Sequence, residues 1–263
     1  MGMTVERRRR RFSSGVWVVP SLITAVALFL GFFAIVHTIS SLHSGSSDLL
    51  PAVYALILAG IFDNMDGRIA RLMKAESEFG VQFDSIADMV SFGVAPAVVV
   101  YGFALLHLKE WGWFGAFLFV ACAAIRLARF NVATADQPSK KYFKGMSSPV
   151  AAGGLVICTV MLQRLFEGVY FSVSVLMLTI FLSLLMVSNI RFRAFKDLDF
   201  KRHRIQYFLV IVLAMTSVFA FRVNALFVIF LIYLIFGLSE ELVLFRRRRR
   251  SDPNVPFLPF GDR

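Results

Sequence analysis

The dominant constraint on this chain is a series of long runs that carry no charged side chain. Phe12 to Ser47, Met89 to Leu108, Trp111 to Ile125, Met146 to Gln163, Gly168 to Ile190, Ile205 to Phe221 and Val223 to Ser239 contain no Asp, Glu, Lys or Arg. A helix needs roughly 17–25 residues, mostly apolar, to cross about 30 Å of hydrocarbon, and each run approaches or exceeds that length. Leu49 to about Met73 has the same apolar character, broken only by a short charged motif. The expected fold is therefore all-α, a polytopic membrane protein of about eight transmembrane helices. With 58% hydrophobic residues and 29 phenylalanines, a water-soluble globular domain is excluded.

Basic residues orient these helices, because Lys and Arg of short loops are retained on the cytoplasmic side. With both termini cytoplasmic, 25 of the 28 Lys and Arg fall inside, and only Lys109, Arg164 and Arg222 fall outside. The net charge of +11 thus follows membrane topology and does not form a nucleic-acid groove. Arg7–Arg11 and Arg246–Arg250 flank apolar helices, where anionic lipid headgroups are the fitting partner. Three segments are expected: a basic cytoplasmic stretch over 1–16, a membrane domain over 17–245, and a basic, proline-containing cytoplasmic tail over 246–263. The first apolar run has no A-x-A-like cleavage site and reads as an uncleaved helix. Cys122 and Cys158 lie in apolar runs without CxxC spacing and read as core residues.

Against this background the stretch DNMDGRIARLMKAESEFGVQFDSIAD, residues 63–88, stands apart. Asp63 and Asp66 are three residues apart and Asp84 and Asp88 four apart, so each pair shares one helix face. A turn near 74–80 folds the two helices back on each other, and all four carboxylates converge in a cavity open to the cytoplasm. Four acids in such a place repel one another, and a lone charge in the bilayer is costly, so a cationic counterpart is required. Arg68 and Arg71 are too few to balance them. Oxygen ligands without His or Cys point to Mg²⁺, Mn²⁺ or Ca²⁺, and two such ions about 4 Å apart would clamp a diphosphate. Gly67 and Gly80 leave room for a ligand to approach. Arg71 presents a planar fork to a phosphate, and Ser77 adds a hydroxyl in the turn.

Written out, the spacing is D-x2-D-G-x2-A-R-x8-G-x3-D-x3-D, from Asp63 through Gly67, Ala70, Arg71 and Gly80 to Asp88. It resembles the signature of the CDP-alcohol phosphatidyltransferase family, with every fixed position filled. The resemblance implies an integral membrane homodimer that binds two divalent cations, Mg²⁺ or Mn²⁺. It also implies transfer of a phosphatidyl group from a CDP-linked lipid to an alcohol with release of CMP. Asp63, Asp66, Asp84 and Asp88 would hold the metals, and Asp88 would also deprotonate the acceptor hydroxyl. Gly67, Arg71 and Ser77 would meet the CDP moiety. Ser21 and Thr24 of PSLIT, where the family often has P-N-x2-T, would lie near the CDP-diacylglycerol donor.

SFGVAPA (91–97), IRLARFNV (125–132), YFKGMSSPVAAG (142–153) and VSNIRFRAFK (187–196) resemble the type II phosphatidylserine synthase branch of that family. The resemblance implies L-serine as acceptor and an enzyme of the cell (inner) membrane whose active site faces the cytoplasm. Serine's carboxylate needs a cationic partner, and Arg126, Arg129 and Lys144 are on the correct side. Arg129 and Asn131 are the favoured contacts, with Asn131 accepting from the ammonium group through its amide oxygen. Inositol phosphate, glycerol phosphate or choline as acceptor, and a divalent-cation transporter, are the competing readings. An intramembrane prenyltransferase also uses aspartates and Mg²⁺, but has no need of the glycines and Arg71 at this spacing. A phospholipase-D-like route is excluded, since His107-Leu108-Lys109 has Phe114 where H-x-K-x4-D requires Asp.

Overall fold

The computed structural model describes residues 18–45, 48–73, 75, 77–136, 142–193 and 223–251. Seven helices account for nearly all of them: α1 (Val18–Ser44), α2 (Leu50–Leu72), α3 (Glu78–Leu108), α4 (Glu110–Asp136), α5 (Ser148–Leu165), α6 (Gly168–Val187) and α7 (Val223–Ser251). Five of these contain an apolar stretch long enough to cross a membrane, in α1, α3, α4, α5 and α6. The apolar part of α7, Val223–Ser239, is shorter. Seven of the eight expected spans are thus helical, and the eighth, Ile205 to Phe221, lies outside the described residues.

Helices α3, α4 and α7 extend beyond their uncharged runs. α3 starts at Glu78, well before the uncharged run, because Ser77 caps it: its hydroxyl accepts the Gly80 N–H at 3.0 Å. The helix then runs to Leu108 across Pro96, which supplies no N–H, with a π-helical turn over Met89–Val94 just before it. There the Ala95 N–H reaches back to the Val90 carbonyl, a local adjustment of the kind that lets a membrane helix keep a proline. α4 continues to Asp136 and α7 through Arg246–Arg250, so the charged ends of both apolar runs stay helical in backbone.

A short antiparallel pair interrupts the helical pattern. β1 (Tyr142–Lys144) pairs with β2 (Arg191–Arg193), placing Lys144 opposite Arg191. Gly145 follows at φ +83°, where a Cβ would strike the Met186 carbonyl, and its N–H donates to Ile190 O at 2.8 Å. Met146 is fully buried beside it, so the segment before α5 is fastened to the end of α6.

α1 packs along α2 and also against α3. Its inward face is a row of small residues, Thr24, Ala27, Gly31, Ala34 and Thr38, which lets the backbones approach closely. At Gly31 an added Cβ would sit 2.7 Å from Ser91 Oγ, so nothing larger fits there. Phe119, Leu105, Leu155, Leu182 and Met186 are fully buried where α3 to α6 meet, while Phe92 of α3 packs with Ala59 of α2 and Ala152 of α5 in a separate small cluster. Leu22, Phe29 and Phe32 of α1, Trp111 and Phe117 of α4, and Met177 of α6 are exposed, as lipid-facing residues would be. Cys122 and Cys158 are both buried, in agreement with a core role.

Candidate active site

The helical hairpin of α2 and α3 brings its acids together. Asp63, Asp66 and Asp84 each place an oxygen within 4.8 Å of the others. Asp88, one turn beyond Asp84, meets the Asp63 carboxyl side chain to side chain. Two acids in such contact are stabilised only by a shared proton or a cation. Asp84 Oδ1 is buried and has no hydrogen-bond partner among the described residues. An acceptor left alone in the interior is costly, and an oxygen-only donor set of this kind is what a hard divalent cation binds. The residues present therefore fit such an ion, with Asp63, Asp66 and Asp84 as a group able to hold it.

The surroundings separate the basic residues by role. Arg68 and Arg71 are exposed, and Arg71 Nε donates to Gly67 O at 3.0 Å, one turn back on its own helix. Gly67 faces open space, with no atom of the described residues within 4 Å of where a Cβ would stand. That end of the hairpin leaves an approach for a ligand between Gly67 and Arg71. Arg126 instead comes from α4, partly buried, and faces Asp63 and Asp88. Its Nη1 donates to Ser148 Oγ at 2.9 Å and its guanidinium lies 5.8 Å from the Phe130 ring centroid.

The remaining candidates are distributed unevenly. Thr24 is 5% exposed and its hydroxyl donates to Asp66 Oδ2 at 2.7 Å, so it touches the carboxylate cluster itself. Ser21 is partly buried near the start of α1, and Ser77 caps α3. Arg129, one turn from Arg126, is exposed: it donates to Val187 O at 2.8 Å and Asn189 Oδ1 at 3.2 Å, tying the end of α4 to the end of α6. Asn131 Nδ2 donates to Ser85 Oγ at 3.0 Å, which ties α4 to the helix that carries Asp84 and Asp88. The Lys144 side chain lies outside the described residues, although its backbone is placed in β1.

The sequence gives no sign of Ser148, and offers Arg126 as one of three available cations without a preference. A signal was present: Arg126 directly follows the uncharged run Trp111 to Ile125, so it is the deeper of the two α4 arginines. A charge near hydrocarbon needs a partner of opposite sign more than one at the surface does.

The chain belongs to the CDP-alcohol phosphatidyltransferase family, whose family model matches residues 17–185, a span that includes all four aspartates. It is 34% identical over 232 residues to the CDP-diacylglycerol–serine O-phosphatidyltransferase of Helicobacter pylori (strain ATCC 700392 / 26695), covering 87% of this chain and 93% of that protein. The enzyme of the same name from Mycobacterium leprae (strain TN) is 32% identical over 222 residues, or 82% of this chain and 70% of the relative. That of Bacillus subtilis (strain 168) is 34% identical over 179 residues, or 68% and 91%.

Proposed function

We propose that the protein transfers the phosphatidyl group of CDP-diacylglycerol to L-serine, giving phosphatidylserine and CMP, in a reaction that depends on divalent cations. The observation that carries this reading is the convergence of Asp63, Asp66 and Asp84, the last with a buried Oδ1 that has no partner among the described residues, with Asp88 against Asp63. Serine as acceptor is supported by the similarity to three enzymes named for that reaction. Two bound cations, Mg²⁺ or Mn²⁺, would offset the charge of the diphosphate so that an oxygen nucleophile can approach.

The chain's own residues supply the rest. Asp63, Asp66, Asp84 and Asp88 hold the cations. Gly67 leaves space for the nucleotide, and Arg71 reaches a phosphate from the open side. Ser21, Thr24 and Ser77 border the same region. Asp88 accepts the proton of the serine hydroxyl as that oxygen bonds to the lipid-bearing phosphorus. The bond from this phosphorus to the bridging oxygen breaks, and CMP departs with that oxygen. Arg126, which faces Asp63 and Asp88, is the cation best placed to receive the serine carboxylate; Arg129 spends two hydrogen bonds on Val187 and Asn189 at the end of α6. Asn131 and Lys144 complete the acceptor side.

The same reading makes the protein a multi-pass homodimer of the cell membrane, with the site at the cytoplasmic face and the basic segments against anionic lipid. The test is to offer the purified protein CDP-diacylglycerol, Mn²⁺ and a panel of alcohols. Radiolabelled serine is expected to enter lipid with equal release of CMP. Label staying in the aqueous phase while inositol phosphate, glycerol phosphate or choline is incorporated would reject serine. Metal flux in proteoliposomes without CMP release would reject the transferase.

A further inference from the structure

The first helix carries no acid and lies outside the aspartate motif, yet it touches both helices that bear the carboxylates. Thr24 and Ala27 are one turn apart on α1. From the first, the hydroxyl donates to Asp66 Oδ2 on α2 at 2.7 Å. At the second, the backbone carbonyl accepts from Ser91 Oγ on α3 at 3.1 Å. Ser91 stands three residues beyond Asp88 and is fully buried. Gly31, one turn further along α1, clears the space that Ser91 occupies. α1 is therefore fixed against α3 by a buried hydrogen bond and a close backbone approach, and from that rigid support it presents a donor to α2.

The Thr24 hydroxyl has one proton and two acceptors within reach, Asp66 Oδ2 at 2.7 Å and Pro20 O at 3.1 Å. A charged acceptor at the shorter distance takes it. With Thr24 5% and Asp66 6% exposed, this bond is shielded from water. We propose that Thr24 is a positioning residue of the metal site: from α1 it fixes the Asp66 carboxylate in the orientation that binds a divalent cation. The proposal rests on the metal-dependent reading above, and it gives Thr24 a duty different from contact with the lipid donor. Partners that orient a ligating carboxylate change metal affinity or activity by about 10–100-fold when removed.

The experiment titrates Mn²⁺ into the purified full-length protein in detergent, without substrate, and follows the free ion by electron paramagnetic resonance. Thr24→Val keeps the volume and removes the donor; its Mn²⁺ affinity is expected to fall about 10–100-fold. Thr24→Ser keeps the hydroxyl and is expected to restore it. Should Thr24→Val not fold, Thr24→Ala, which introduces no clash, carries the same expected loss. Parent-like Mn²⁺ affinity in the variants without the hydroxyl overturns the proposal. A raised KM with intact Mn²⁺ affinity also overturns it and puts the hydroxyl on the lipid. A parent protein that binds no Mn²⁺ removes the metal reading itself and Thr24's role with it.

Discussion

The carboxylate hairpin of α2 and α3 and the belt formed by the ends of α4 and α6 are both polar, yet they spend their polar groups in opposite ways. In the belt, donors meet acceptors of the same chain: Arg129 bonds Val187 O and Asn189, and Gly145 N–H bonds Ile190 O. In the hairpin, like charges are gathered and Asp84 Oδ1 has no partner among the described residues. A structural region gains nothing from an unsatisfied buried acceptor, which costs about 1–3 kcal/mol. A region that binds ions must keep such groups open. Unpaired polarity therefore marks the reaction side, and completed polarity marks the frame that holds it.

The largest effect expected from this contrast comes from Asp88. Asp88→Asn preserves shape and removes the proton acceptor, so turnover should fall by about 10²–10⁴-fold, the usual contribution of general base catalysis. Binding of the CDP-lipid, measured by retention of a labelled nucleotide, should persist. Near-parental turnover would move the base elsewhere and leave Asp88 as a structural acid paired with Asp63. Asp84→Asn probes the open oxygen more directly. It relieves like-charge crowding, so the metal-free variant should melt at or above the parent's temperature. It should also lose the Mn²⁺-induced stabilisation, which for an intact site at 100 times its Kd amounts to about 2.7 kcal/mol. A full Mn²⁺ shift retained by Asp84→Asn would contradict a ligand role for that oxygen.

The same contrast explains what the sequence made legible. The aspartates could be read because metal chemistry fixes both residue type and spacing, and a carboxylate in an apolar run has few other uses. The helices could be read because lipid demands length and apolarity. Less legible was everything that depends on which groups satisfy each other across the fold. The β1–β2 pair joins segments on opposite sides of α5 and α6, with no local pattern to announce it. The run Met89 to Leu108 does predict one helix across Pro96, but nothing in it announces the π-helical turn that lets the proline stay. Thr24 resembled a lipid contact by its place in PSLIT, and only the packing of α1 shows its hydroxyl bonded to Asp66. The sequence separates Arg126 from Arg129 only by its depth along the apolar run, and the fold shows what each faces.

That last pair offers the finest test of the comparison, because the two arginines lie one turn apart on the same helix. Arg129 holds a frame: two hydrogen bonds from an exposed guanidinium to the end of α6, worth together about 1–2 kcal/mol. Arg129→Gln should therefore lower the melting temperature of the detergent-purified protein modestly and leave the KM for serine near that of the parent. Arg126→Gln should reverse the pattern, raising the KM for serine because the charge facing Asp63 and Asp88 is gone. The discriminating measurement is the ratio of the two KM values set beside the two melting curves. A serine KM that rises more in Arg129→Gln than in Arg126→Gln would place the acceptor in the belt, and completed polarity would then no longer separate frame from site.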